Sequence, residues 1–173
     1  MDGAATLESG AVFSPCDRYR YSLWRIWDVS RPKLLVIGLN PSTADATQND
    51  PTIRRCIGFA QSWGYGRVTV TNLFALRSPY PKALRQAQDP VGPETDAWIE
   101  RLAAASDTCF VAWGNHGQFL GRDRSVGQAL AMSGRPLVCL KRTKQGQPAH
   151  PLYLKKTLMP KSWTPLAQVH GLP

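Results

Sequence analysis

Acidic residues are absent from the last 50 residues of the chain. No Asp or Glu follows Asp123, while basic residues continue at Arg124, Arg135, Lys141, Arg142, Lys144, Lys155, Lys156 and Lys161. The whole chain has 21 Lys and Arg against 12 Asp and Glu, a net charge of +9. A polyanion suits such a surface, because neutralising phosphates releases counterions. The charge favours nucleic acid as the partner over the alternative of a basic surface that only confers solubility.

Cysteine is scarce and has no metal-ligand spacing. Cys16, Cys56, Cys109 and Cys139 are far apart and form no CxxC pair. Iron–sulfur and zinc sites are therefore disfavoured against buried, reduced thiols. We predict no metal and no cofactor.

Long apolar runs are also missing. No stretch approaches the roughly 18 apolar residues of a membrane span, and MDGAATLESG lacks the pattern of a signal peptide. We expect a cytoplasmic protein that does not contact a membrane. The 173 residues suit one domain, 1–173, with residues 1–15 as a flexible N-terminus, and we expect a monomer.

Apolar runs alternate with helical patterns along the chain. Four runs read as buried strands: 34–40, 67–74, 108–114 and 136–142. The first helix begins at Pro51 with Asp50 as its N-cap and ends at Gly64, and two more are expected within PETDAWIERLAAAS and RSVGQALAMSG.

The alternation predicts a three-layer αβα fold. Its centre is a mostly parallel four-stranded sheet with helices on both faces. DRYRYSLWRIWD adds an N-terminal strand or hairpin at the sheet edge, where its aromatic residues cover the core. SPYPKALRQAQDPVGP, residues 78–93, forms a surface connection near the strand ends.

Polar residues stand where the predicted strands end, which is where ligands bind in such sheets. GLNP closes the first strand, TNL the second and WGNH the third, and AHPLYL follows the fourth. Two amides, Asn40 and Asn72, and His150 are therefore expected at one edge of the sheet.

This order of motifs resembles the uracil-DNA glycosylase superfamily. GLNPS is similar to its catalytic turn, VTNLF to its base-reading segment, and FVAWGNHGQF and AHPLYL to its last two motifs. Within it, the chain is similar to a bacterial and phage branch marked by GLNPSTAD and HPLYL, with an expected kinship to anti-phage glycosylases that excise glucosylated hydroxymethylcytosine. The likeness runs from Tyr19 to about Lys156 and implies a uracil-DNA glycosylase-like sheet.

The resemblance and the chemistry of the residues assign the catalytic candidates. Asn40 can hold a water with its carbonyl, and Asp45 or Asp50 can supply the carboxylate that Asn40 lacks. His150 can donate to the departing base. The alternatives remain open: Asn40 and Asp45 as turn residues, Asp50 as only a helix cap, and His150 as a loop histidine.

The base pocket is expected to form around the first motif. Its members are Gly38, Leu39, Pro41, Ser42, Asn72 and Asn115, with Asn72 reading a base edge. The uracil-specific branch has a bulky Tyr where this chain has Ser42, so the resemblance implies room for a 5-substituted cytosine, such as glucosyl-hydroxymethylcytosine.

DNA contacts are expected after the fourth strand. Leu152 and Tyr153 are placed to fill the gap left by a flipped base, unless the leucine belongs to the core. The predicted DNA-binding residues are Lys141, Arg142, Lys144, Leu152, Tyr153, Lys155 and Lys156.

The sequence thus predicts an enzyme, a DNA glycosylase that acts on double-stranded modified DNA and leaves an abasic site. Two other classes remain open. One is a non-catalytic module that binds DNA or a modified base, and the other is an N-glycosidase of free nucleosides or nucleotides.

Overall fold

A computed structural model describes residues 5–166 of the chain. In this part, seven strands form one sheet: β1 (Glu8–Phe13), β2 (Arg20–Ile26), β3 (Lys33–Gly38), β4 (Arg67–Asn72), β5 (Thr108–Val111), β6 (Leu137–Cys139) and β7 (Lys161–Ser162). The α-helices described are α1 (Pro51–Ser62), α2 (Ala83–Gln86), α3 (Thr95–Ala104) and α4 (Arg122–Met132). Two 3₁₀ segments, Asn115–Gly121 and Pro151–Tyr153, follow β5 and β6.

The sheet is mixed, with the order β1-β2-β4-β3-β5-β6-β7. The pairs β4-β3, β3-β5 and β5-β6 are parallel, while β1-β2, β2-β4 and β6-β7 are antiparallel. The predicted uracil-DNA glycosylase-like core, a mostly parallel four-stranded sheet, is therefore wrong, although helices do cover both faces of the sheet. It missed both terminal strands and the antiparallel half, because pairing between distant segments leaves little trace in local apolar runs.

The N-terminal region departs most from expectation. β2 lies inside the sheet between β1 and β4 instead of forming its edge, and β1 is the edge strand. Residues 8–13 form that strand, so a flexible N-terminus is wrong for them, and residues 1–4 lie outside the described part. The polar and small residues of ESGAVF do not give the sequence pattern of a strand. The strand forms because it pairs with β2 along its length.

Helix α1 confirms the sequence pattern that predicted it. Asp50 is its N-cap and accepts a hydrogen bond from the backbone N–H of Ile53 at 2.8 Å, and Pro51 occupies the first turn. Ile53 and Ala60 are buried against the sheet, as their spacing predicts, whereas Ile57 is only partly buried.

The two faces of the sheet carry different helices. One core contains residues of α1 with Val36, Val70 and Phe110. The other contains residues of α3 and α4 with Ile37, Val111 and Trp113. Alternate residues of each strand face the two cores, so the position of a residue in its strand indicates which helices its side chain meets.

No helix among the described residues is both long enough and apolar enough to cross a bilayer.

Candidate functional site at the carboxyl edge of the sheet

Strands β3, β4 and β5 run parallel and end at the same edge of the sheet. Gly38, the last residue of β3, lies opposite Asn72, the last residue of β4. The backbone N–H of Ala112, just after β5, donates to the carbonyl of Ile37 at 2.9 Å. The segments that follow the three strands therefore meet at one edge, as expected for the placement of a ligand site.

Asn40 bridges two of these segments. Its Nδ2 donates to the carbonyls of Ser78 at 2.9 Å, Pro41 at 3.1 Å and Leu76 at 3.4 Å. The three acceptors fix the orientation of the amide, because only the nitrogen can donate to them. Its Oδ1 accepts no hydrogen bond from the described residues. Asn40 thus stabilises the turn and also presents a carbonyl oxygen that can hold a water.

The two aspartates of this loop differ in environment. The carboxylate of the half-buried Asp45 accepts from the backbone N–H groups of Thr47 at 2.9 Å and Gln48 at 2.7 Å, and these bonds lower its pKa. Asp50 is buried and caps α1, while its Oδ2 lies 3.4 Å from the backbone N–H of Ala44. Asp45 therefore acts as a turn residue, and Asp50 is the carboxylate that the fold buries at the edge.

His150 is held as a neutral imidazole. Its Nδ1 accepts from the backbone N–H of Leu152 at 3.3 Å, which places the ring proton on Nε2. Burial lowers its pKa, and the nearby Asp50 carboxylate opposes this only in part. Arg55 of α1 donates to the carbonyls of Pro151 and Leu154 and ties the His-Pro segment to the helix. His150 can therefore offer an Nε2–H donor at neutral pH.

Asn72 is buried without a hydrogen-bond partner for its Nδ2. The residue is 5% exposed, and it faces the α1 side of the sheet, as do Val68 and Val70. A Cβ added to Gly38 would lie 2.8 Å from the Asn72 Oδ1. Glycine at position 38 thus makes room for this side chain, whose Nδ2 has no hydrogen-bond partner among the described residues.

Two buried arginines of β2 were missed by the sequence analysis. Arg20 and Arg25 are each 2% exposed, and neither was among the predicted site residues. Arg20 donates from Nη1 to the carbonyl of Ala44 at 2.9 Å, while its buried Nε has no partner. Burial lowers its pKa to about 10, against the effect of Asp50. The apolar composition of RYSLWRI was the available signal, since it is typical of a strand covered on both faces.

We call Arg20, Asn40, Asp50, Asn72 and His150 the edge cluster. They come from β2, the turn after β3, the start of α1, the end of β4 and the segment after β6. Asp50 lies near enough to affect the pKa of both Arg20 and His150.

The other predicted base-binding residues are less well placed. Leu39 is buried in the core on the α3 and α4 side, and Asn115 is exposed and accepts from the Thr143 hydroxyl at 2.6 Å. Pro41 is buried and Ser42 half-buried in the turn beside Asn40. Gly38, Pro41 and Ser42 thus border the edge cluster, whereas Leu39 and Asn115 do not join it.

The predicted DNA-binding residues differ in their exposure and in their hydrogen bonds. Tyr153 is 86% exposed, and its ring centroid lies 6.3 Å from that of His150. Leu152 is half-buried, and the basic residues Lys141, Arg142, Lys144, Lys155 and Lys156 are exposed. Arg142 is already engaged, because its guanidinium donates to the carbonyls of Gly146 and Thr164.

A second buried polar group, which we call the paired network, lies on the other face. The Trp113 Nε1 donates to the Gln147 Oε1 at 2.9 Å, and the Gln147 Nε2 donates to the Asp123 Oδ2 at 2.8 Å. All three residues are buried. Both of these hydrogen bonds are made within the chain.

Two cavities lie outside the edge cluster. One, of about 120 Å³, is lined by residues of α3 and α4, including Asp96 and Arg122. The other, of about 380 Å³, is lined by Gln118, Gly121, Asp123, Arg124, Gln145, Gln147 and Leu166. Across residues 5–166, no group of three His, Cys, Asp or Glu side chains is placed to hold a metal ion.

Comparison with known proteins gives a family for the chain. Residues 20–152 match the family described as Protein of unknown function (DUF1643). The match begins at Arg20 and extends past His150, so it contains every residue of the edge cluster. No curated protein and no solved structure matches the chain. Since the matched segment is well over half of the sequence, the chain belongs to the DUF1643 family.

Proposed function

We propose that this protein is a DNA glycosylase that hydrolyses the N-glycosidic bond of a flipped, modified base in cytoplasmic DNA and leaves an abasic site. The observation that carries the proposal is the edge cluster itself. It combines a buried carboxylate, a neutral histidine with a free Nε2–H and an unpaired buried amide. The resemblance of GLNPS, VTNLF and AHPLYL to glycosylase motifs supports the same reaction.

Each group has a role in this reaction. A water held by the Asn40 Oδ1 attacks the anomeric carbon, and its oxygen forms the new bond to that carbon. The bond to the base breaks, and its electron pair stays with the base. The Asp50 carboxylate stabilises the positive charge that develops on the sugar and accepts the proton that the water releases.

The departing base carries the negative charge. The His150 Nε2–H hydrogen-bonds to it, and a neutral imidazole keeps that donor at pH 7 because burial holds its pKa low. The base then takes up a proton from solvent. Asn72 holds the edge of the base while this happens, because its amide has both a donor and an acceptor to offer.

Access to the base requires flipping, and the surface around His150 suits it. Tyr153 is the exposed apolar residue nearest the His-Pro turn and can fill the gap that the base leaves. Lys155 and Lys156 follow it and can contact phosphates. The net charge of +9 favours the approach of double-stranded DNA to a monomer.

The small Ser42 beside Asn40 supports a bulky substrate. A 5-substituted cytosine, such as the glucosylated hydroxymethylcytosine of phage DNA, has a large group that a bulky residue at this position would exclude. We therefore propose this class of base rather than unmodified uracil.

The direct test is to count abasic sites. Purified protein is incubated with DNA that contains cytosine, hydroxymethylcytosine, glucosylated hydroxymethylcytosine or uracil. We expect abasic sites on the glucosylated substrate and their loss in His150→Ala and Asn40→Ala. His116→Ala is the matched control, because His116 is exposed and makes no hydrogen bond with the described residues. Thermal unfolding of each variant checks that it is folded.

Other outcomes distinguish the other classes. Tight, salt-sensitive DNA binding without abasic sites on any substrate would contradict the proposal and favour a binding module. Cleavage of free nucleosides at the same rate as DNA would favour a nucleoside N-glycosidase.

A further inference from the structure

Arg20 is the residue of the edge cluster with the most unused hydrogen-bond donors. Its Nη1 donates to the Ala44 carbonyl at 2.9 Å, and this is the one hydrogen bond that its side chain makes to the described residues. Its Nε is buried and unpaired, and no carboxylate of the described part forms a salt bridge with it. The side of the guanidinium formed by Nε and Nη2 is therefore free.

Arg25 shows what a purely structural arginine looks like in the same strand. It is equally buried, and its Nε donates to the Asn49 Oδ1 at 2.9 Å. Its Nη2 donates to the Asp45 carbonyl at 2.7 Å, and its Nη1 to the carbonyl of Trp24 at 2.8 Å. Each nitrogen of Arg25 has a partner, so its guanidinium is used up in holding the loop that ends at Asp50.

The unpaired Nε and Nη2 of Arg20 cost free energy unless a ligand accepts hydrogen bonds from them. A buried N–H group without a partner, such as the Arg20 Nε–H, loses its hydration without a hydrogen bond to compensate. The residue lies beside the end of β4, since the carbonyl of Tyr21 accepts from the Thr71 hydroxyl at 2.9 Å. Arg20 and Asn72 therefore lie at neighbouring strand ends, each with a buried donor that has no partner.

We propose that Arg20 is a base-binding residue whose Nε and Nη2 donate together to the O2 and N3 atoms of a flipped cytosine-type base. This inference rests on the proposed glycosylase function and assigns the base class that the site takes. A guanidinium fork matches two adjacent acceptors in one plane, and O2 and N3 of cytosine are such a pair. In uracil and thymine N3 carries a hydrogen, so the same fork meets one acceptor and one donor.

The same contact helps the reaction. When the glycosidic bond breaks, the negative charge of the base spreads over N1, O2 and N3. The positive charge of Arg20 then lies against O2 and N3, where the charge develops, so the contact strengthens as the bond breaks.

A phosphate of the DNA is the other source of paired acceptors. We favour the base because Arg20 is 2% exposed and covered by the Ala44 segment, whereas a phosphate contact belongs at the rim of a site. The two sources give different results, because a phosphate contact is independent of the base.

The test uses duplex oligonucleotides with one 5-hydroxymethylcytosine or one 5-hydroxymethyluracil at the same position. Each is made in its natural form and in a 2′-fluorinated form that resists cleavage. Excision is followed under single-turnover conditions, and binding of the resistant form is measured by fluorescence anisotropy. Wild type is compared with Arg20→Lys, which keeps the charge but loses the fork, and with Arg25→Lys as the matched buried control.

We expect wild type to bind the cytosine-type oligonucleotide at least about tenfold more tightly than the uracil-type one. Arg20→Lys should reduce this ratio to below about twofold. Arg25→Lys should lower the melting temperature and leave the ratio unchanged.

Three results would overturn the inference. The first is a wild type that binds the cytosine-type and uracil-type oligonucleotides equally well. This result does not depend on a variant, so it decides the question even if Arg20→Lys does not fold. The second is an unchanged ratio in Arg20→Lys, which leaves Arg20 to hold Ala44. The third is an equal loss of affinity for both oligonucleotides, which assigns Arg20 to a phosphate. Absence of excision by wild type would instead contradict the proposed function, while the binding ratio would still test Arg20.

Discussion

The edge cluster and the paired network differ in how completely their buried side chains are hydrogen-bonded. In the paired network, Gln147 accepts from Trp113 and donates to Asp123, and both bonds are within 2.9 Å. In the edge cluster, the Asn72 Nδ2 and the Arg20 Nε are buried without partners. Folded proteins pair nearly all buried polar groups, so unpaired ones need a reason. The contrast supports the proposal that the carboxyl edge on the α1 side binds a ligand.

Unpaired buried atoms also occur outside the edge cluster. Two other buried atoms of the described residues also lack partners, the Tyr21 hydroxyl and the Trp163 Nε1. Each belongs to a large aromatic ring whose burial is favourable in itself. Asn72 and Arg20 gain little from burial, because an amide and a guanidinium are costly to desolvate. Asp50 lies near enough to Arg20 to affect its pKa, and Asn72 ends the neighbouring strand, which makes the edge cluster the better candidate.

The largest expected effect concerns the two aspartates of one loop. Asp50→Asn should lower the excision rate by about 10²- to 10³-fold, because it removes the buried negative charge near the reacting sugar. Asparagine is also a good N-cap, so α1 should remain intact. Asp45→Asn should change the rate by less than about twofold, since the Asp45 carboxylate bonds only to Thr47 and Gln48 of its own turn. Single-turnover rates on the best substrate provide the measurement, and equal effects of the two changes would contradict the assignment.

A second pair of changes compares stability in the two groups. Gln147→Leu should destabilise the protein by about 2–3 kcal/mol, because it leaves the Trp113 N–H unpaired and takes a donor from the buried Asp123. Asn72→Leu should change stability by less than about 1 kcal/mol, because it removes a donor that has no partner in the unbound protein. Excision should nevertheless be lost in Asn72→Leu.

Urea unfolding of both variants without DNA provides that measurement. A large loss of stability in Asn72→Leu would mean that the Asn72 amide is paired in solution, and the contrast between the two groups would then fail.

The third prediction uses the pH dependence of stability. Burial lowers the pKa of His150 below the value of about 6.5 expected in the unfolded chain, so the unfolded chain binds the extra proton more readily. Stability is therefore lost as the pH falls from about 6.5 towards the lowered pKa, by at most about 1.4 kcal/mol for each pH unit. His150→Gln should lose less stability than wild type between pH 7.5 and pH 5.5, as measured by urea unfolding. His116→Gln should behave like wild type, and a similar change in both variants would show that His150 is not buried as described.

The sequence predicted much of the edge cluster because its residues follow local rules. Asn40 and Asn72 end apolar runs, and Asp50 with Pro51 begins a helix. Such features depend on residues a few positions apart. His150 was predicted from the order of motifs, and its neutral state depends on Leu152, two residues later.

The parts of the fold and of the edge cluster that the sequence did not predict depend on contacts between distant segments. Arg20 is buried because the turn after β3 folds over it, and the partner, Ala44, is 24 residues away. The position of β2 inside the sheet depends on β1, whose residues show no strong apolar pattern of their own. The paired network joins residues up to 34 positions apart and left no motif in the sequence. Pairing of this kind is decided by tertiary structure, which explains both the missed arginine and the wrong sheet.

The smallest expected effect concerns the surface next to the edge cluster. Lys155 follows the His-Pro turn and is exposed, whereas Lys33 is equally exposed at the start of β3, at the opposite edge of the sheet. If DNA lies across the carboxyl edge, Lys155→Ala should weaken binding a few-fold and lower the slope of log affinity against log salt by about one. Lys33→Ala should leave the slope unchanged. Each change removes one positive charge, so the two variants have the same net charge. They differ only in where the lost lysine lies. Equal slopes for the two variants would mean that DNA is attracted by the overall charge and does not lie across the edge cluster.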